Sequence, residues 1–184
     1  LFGKSDEQML VMIEQLTLYV NEFILHPNQQ NANDIKKIYF LLFKNNFFID
    51  LHENNHDDSL NMKDFLILSM YLFQALNRDN YLNTSEKQTF LSEIQKRFDK
   101  IKPAHKWGFT MSKCKIGRDQ GNCQNHTYSH QLTRTLYGAT FGSSKDYAMG
   151  EKMYKFAIDD LKPDGALWRE AVRGRWSWSY YAHT

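Results

Sequence analysis

Apolar residues recur at helical spacing through most of the chain, and strict alternation over a strand's length is hard to find. The pattern predicts an all-α fold. A first helix spans about Asp6 to Leu25, with Met9, Leu10, Met12, Ile13, Leu16, Tyr19, Val20 and Phe23 as its apolar positions, after the cap-like Ser5-Asp6-Glu7. Asn and Gln from Asn28 to Asn33 mark a loop, and Asp34 caps a second helix to about Phe48. The polar stretch Glu53 to Ser59 leads to a third helix near Leu60 to Leu76. Thr84-Ser85-Glu86 opens a fourth, to about Ile101, with Phe90, Leu91, Ile94 and Phe98 on one face.

Pro103 ends that run, and residues 102 to 124 form a long connection rich in Lys and Gly. Connections of that length in compact domains are usually either functional or disordered. Helices resume at about His126 to Phe141 and Lys145 to Leu161, joined by Gly142-Ser143-Ser144. Pro163-Asp164-Gly165 makes the next tight turn, and a last segment runs from Leu167. Pairs of helices with short turns suit an array of antiparallel α/α hairpins or a toroid.

Composition narrows the class. With 42% hydrophobic residues, 15% aromatic and 184 residues in all, the chain has enough apolar side chain for a core and the length of one ordinary domain, 1–184. Disordered and low-complexity classes are excluded. No apolar run reaches the roughly 18 residues of a membrane span. Leu1 stands where an initiator Met would, which reads as a processed or trimmed chain.

The net charge of +2 hides an asymmetry. Residues 1–92 hold 7 Lys/Arg against 12 Asp/Glu, and residues 93–184 hold 16 against 9. The second half therefore faces anions. Lys102, Lys106, Lys113, Lys115 and Arg118 fall within residues 101–118 without an acid among them, a field that attracts an anionic polymer unless the segment is simply a solvated basic loop.

Polar candidates concentrate in the same half. Gln124-Asn125-His126 opens a helix, Arg173-Gly174-Arg175 is basic, and Tyr180 lies seven residues beyond Arg173. On a helix spanning both, Arg173 and Tyr180 fall within roughly 20° of each other, two turns apart. Gly174 weakens such a helix, and Glu170 offers Arg173 a plain surface ion pair. His126 and His130 have the spacing of a helical metal pair, but lack the Glu of a zinc protease motif and a third ligand. One of Asp159 and Asp160 together with Glu170 would make an alternative acid pair for glycoside hydrolysis. Asn83-Thr84-Ser85 and Asn125-His126-Thr127 match the N-glycosylation pattern, and a glycan on Asn125 would block the proposed site.

Gln124-Asn125-His126-Thr127-Tyr128, then Pro163-Asp164-Gly165, then Glu170-Ala171-Val172-Arg173-Gly174 with Tyr180, resembles the alginate lyases of polysaccharide lyase family 5. The resemblance is strongest over residues 121–184. It implies an incomplete α/α toroid and cleavage of a β-1,4-linked uronate polymer, most of all polymannuronate, by β-elimination without metal or other cofactor. In the roles it implies, Asn125, His126 and Arg173 neutralise the uronate carboxylate, and Tyr180 takes the C5 proton and returns one to the leaving oxygen. Substrate contacts are expected from Arg175, Lys106, Trp107, Gln124 and Tyr128.

The implied partner is an anionic polysaccharide rather than a nucleic acid, met by a monomer in the periplasm or outside the cell. There a bridge between Cys114 and Cys123 would close a short loop ahead of Asn125. Three departures stand out: Gln124 where Asn is common, Trp176-Ser177-Trp178 in place of an Arg and small residues, and a chain that stops at Thr184 where the family continues. A fragment or a shortened toroid would account for the last. A binding protein for anionic glycans that has lost turnover and an α/α-toroid glycoside hydrolase are the competing functions.

Overall fold

The computed structural model describes residues 6–47, 56–101, 124–159 and 163. Among them every regular element is an α-helix: α1 (Asp6–Leu25), α2 (Gln29–Lys44), α3 (His56–Arg78), α4 (Thr84–Ile101), α5 (Gln124–Phe141) and α6 (Ser144–Asp159). None of these helices is long and apolar enough to cross a membrane. The chain divides into two compact units, Leu1–Lys102 and Pro103–Thr184.

In the first unit α3 packs against α1 and α4, and α1 also meets α2. Each helix contributes an i, i+3, i+4 stripe to one core: Ile13, Leu16, Val20 and Phe23 from α1, Ile35, Tyr39 and Phe43 from α2, and Phe90, Ile94 and Phe98 from α4. The centre is aromatic. Tyr39 stacks on Phe65 of α3 at 5.5 Å between centroids, and Phe43 meets Phe90 edge to face at 5.2 Å. Burial pushes the Tyr39 hydroxyl far above the usual phenol range, and the neighbouring Ser69 offsets little of this. The Ser69 hydroxyl donates to the Phe65 carbonyl at 2.6 Å.

Asparagine closes these helices at both ends. The Asn28 side chain accepts the Asn31 amide at 2.8 Å and caps α2. Asn83 and Glu86 form a reciprocal capping box on α4, at 2.9 and 2.8 Å. At the C-termini Asn46 (φ 51°) and Asn80 (φ 59°) take the left-handed conformation. The next amides, of Phe47 and Tyr81, then reach back to the Leu42 and Leu76 carbonyls, both at 2.9 Å. Lys36 ties the α3–α4 turn to α2 by donating to the Tyr81 carbonyl (2.9 Å) and the Glu86 carboxylate (3.0 Å).

The second helix corrects the sequence expectation. Residues 29–33 are its first turn and Asp34 lies inside it, because Gln29 donates to Asn33 (3.0 Å) and Gln30 to Asp34 (2.6 Å) at i, i+4 spacing. It also ends at Lys44 rather than near Phe48, where Asn46 turns the chain left-handed. The third helix starts at His56, so residues 56–59 of the expected polar linker are its first turn.

In the second unit α5 and α6 form an antiparallel hairpin with a two-residue connection. Gly142 (φ 67°) ends α5, and the Ser143 amide returns to the Gly138 carbonyl at 3.0 Å. Ser143 then caps α6, its hydroxyl accepting the Asp146 amide (3.3 Å) and donating to the Asp146 carboxylate (2.7 Å). Asp146 also pairs with Arg134 of α5. At Gly138 the helices nearly touch: a Cβ built there would lie 2.4 Å from the Tyr147 nitrogen.

Candidate active site

The anchored hairpin carries the first of the candidate residues. Its α5 opens at Gln124, two residues ahead of the expected start, so Gln124, Asn125 and His126 fall in the first helical turn and Tyr128 opens the second. A helix presents unpaired backbone N–H groups and a partial positive charge at that end, and no acidic residue occupies the turn. An anion is therefore favoured there, and Asn and His are residue types able to donate to it without charge repulsion. Behind the turn, Thr133, Leu136 and Tyr137 are buried, and Tyr137 stacks on Phe141 at 4.5 Å. The opening of α5 thus stands on a packed base.

Arg173, Arg175, Tyr180, Lys106 and Trp107 lie outside the described residues, as do Cys114, Cys123, Asp160 and Glu170. The side chains of Gln124, Asn125, His126, Tyr128 and His130 lie outside them as well. The helix backbone brings the first four together on neighbouring positions. Asp159 is the last residue of α6, and Pro163 sits exposed in a turn. Among the described residues no group of three His, Cys, Asp or Glu side chains is arranged to hold a metal ion.

The structure also exposes charged groups that the sequence reading passed over. Lys63 of α3 is 1% exposed. Burial pushes its ammonium down to about 8, against an opposing pull from Asp64. Asp64 is pushed up to about 6 by its own burial, which the charge on Lys63 partly offsets. Arg97 of α4 is fully buried, and its guanidinium lies 5.0 Å from the Phe43 ring centre and 5.3 Å from that of Phe65. It donates to the Phe47 carbonyl at 2.9 Å and pairs with Glu93. Burial lowers the Arg97 pKa, and Glu93 counteracts it. Arg97 therefore reads as a structural cation in an aromatic core.

No match to the chain is found among curated proteins or among solved structures. A family model described as alginate lyase matches residues 4–184, running through both compact units and well beyond the motif-bearing segment of the second. With a match over nearly its whole length, an all-helical architecture and an Asn-His pair opening α5, the chain belongs to the alginate lyase family.

Proposed function

We propose that this polysaccharide lyase acts on mannuronate-rich alginate and cleaves the β-1,4 linkage by β-elimination, leaving an unsaturated uronate at the new end. The observation that carries the reading is the opening turn of α5, where Asn125 and His126 share an acid-free helix N-terminus in a chain whose family substrate is a polyanion. The single family match also supports taking the chain as one lyase domain, built as an incomplete α/α toroid.

The chemistry assigns the residues. Removing a proton alpha to an ionised carboxylate places a second negative charge on one group, so the barrier falls only if that charge is held. Arg173 supplies a fixed fork of donors, and Asn125 and His126 add hydrogen bonds that strengthen as the enolate develops. Tyr180 serves as the base once nearby cations, Arg173 and Arg175, stabilise its phenolate. It then serves as the acid toward the leaving oxygen when proton and oxygen lie on one face of the sugar. Lys106, Trp107, Gln124 and Tyr128 extend the contact along the polymer. The reading places the enzyme in the periplasm or outside the cell, where the polymer is met, and as a monomer.

The test is the growth of the unsaturated-uronate absorbance on polymannuronate, compared with polyguluronate. A hydrolase gives reducing ends without that absorbance, and a binding protein gives neither. Tyr180→Phe is expected to lower kcat by about 10²- to 10⁴-fold with little change in KM. Full activity in Tyr180→Phe together with loss in His126→Ala would move the base to His126.

A further inference from the structure

Helix α1 is apolar on two opposite sides. Its core stripe, Ile13, Leu16, Val20 and Phe23, is buried to 6% exposure or less. Opposite that stripe, Val11, Leu18 and Leu25 are 50%, 70% and 71% exposed. These three recur every seven residues, so each lies about 20° from the next, within an arc of about 40°, on a line about 21 Å long. The other helices of the unit expose single large apolar residues, Leu41 of α2 at 61% among Gln30, Asp34, Lys37 and Lys44, and Tyr71 of α3 at 40%, and α4 turns Gln88 and Lys96 to solvent. An apolar stripe on both sides of a helix is the pattern of a helix covered on both sides.

Charge states what covers it. Glu14 and Glu22 flank the outer stripe, one on each side and both exposed, and α1 contains no Lys or Arg. A second copy laid antiparallel across Leu18 would set Glu14 against Glu22, which repels.

We propose that the outer face of α1 is a docking surface for a basic amphipathic helix, whose apolar stripe lies along Val11, Leu18 and Leu25 and whose Lys or Arg side chains face Glu14 and Glu22. The interface is of the helix-on-helix kind, with heptad contacts supplying affinity and the flanking charges selecting the partner. It is independent of the lyase reading, since none of these residues is assigned to the substrate.

Two synthetic helical peptides test it, sharing one Leu heptad stripe and carrying Lys in one and Glu in the other at the flanking positions. Fluorescence anisotropy on the full chain should show the Lys peptide binding at least about tenfold tighter at low salt. Leu18→Gln with Leu25→Gln should weaken it by a similar factor, and Glu14→Lys with Glu22→Lys should reverse the preference. All four positions are exposed, so the core is untouched. Binding of both peptides alike, unchanged by charge reversal, would overturn the proposal, as would no binding. A dimer in sedimentation equilibrium that Leu18→Gln dissolves would assign the face to a second copy instead.

Discussion

A charged side chain inside a small core has to be explained by its neighbours, and among the described residues Lys63 and Asp64 act on each other. The unfolded carboxylate releases its proton near 3.8 and the folded one near 6, so the folded state binds more protons between those values. Stability contributed by Asp64 therefore falls as pH rises through that window. For Lys63 the unfolded value is 10.5 and the folded one about 8, so the unfolded state binds more protons between them and stability rises with pH there. The pair creates a trough between pH 6 and 8, where both groups are ionised in the native protein. Lys63→Met should abolish the alkaline rise and push the Asp64 carboxyl further up, since the charge that partly offsets its burial is gone. Urea unfolding from pH 5 to 10 measures this, and an unaltered alkaline rise in the variant would contradict it. Neither this pair nor Arg97 was legible in the sequence, because Met62-Lys63-Asp64 looks like any amphipathic stretch. Only the packing of α1 and α4 around α3 turns it into an interior.

Helix ends show what a sequence does carry. The limits of α1 and α4 coincide with those expected from periodicity, since each has a strong apolar stripe and a polar entry. The start of α2 was missed because Asn and Gln were weighed as loop formers, whereas Asn28 caps and its neighbours pair along the helix. The same residue type supplies two left-handed C-termini, where a Cβ carries a cost that glycine avoids. Asn80→Gly is thus expected to stabilise the first unit by about 0.5–1 kcal/mol. Asn46→Gly should gain less, because its side chain accepts from Lys96 at 2.8 Å. Equal gains in thermal unfolding would show that the Lys96 bond contributes nothing. Gly138 is the opposite case. An added Cβ meets the Tyr147 backbone at 2.4 Å and 2.8 Å, so Gly138→Ala should cost about 1–3 kcal/mol despite the better helix propensity of alanine. A variant as stable as the wild type would mean that the hairpin yields freely.

Across the whole molecule, family and class were readable from the chain, while most of the chemistry depends on segments beyond the described residues. The Asn-His motif was expected at a helix start and is found there, since a polar, acid-free turn ahead of an apolar stripe is a local signal. Any meeting of Arg173 and Tyr180 with that turn would be a non-local matter, on which spacing along the chain carries no signal, and both residues lie outside the described ones. Charge is global in the same sense: acids prevail in residues 1–92 and bases in 93–184. Affinity for polymannuronate should accordingly fall as salt is raised, and neutralising Lys102, Lys106, Lys113 and Lys115 together should flatten that dependence. An unchanged salt slope would mark the segment as a solvated loop rather than part of the polymer path.

The near contact of Gly138 with Tyr147 also has a bearing on time. Nine residues separate the two, and the connection between their helices is two residues long, so the chain finds this contact after closing a very small loop. Short-range contacts form early in folding, whereas the α1–α3 pairing must close a far longer stretch. The hairpin is then the natural nucleus of the second unit. In a chevron measurement Gly138→Ala would slow refolding and leave unfolding almost untouched, the signature of a helix with Asn125 and His126 in its first turn that is built early.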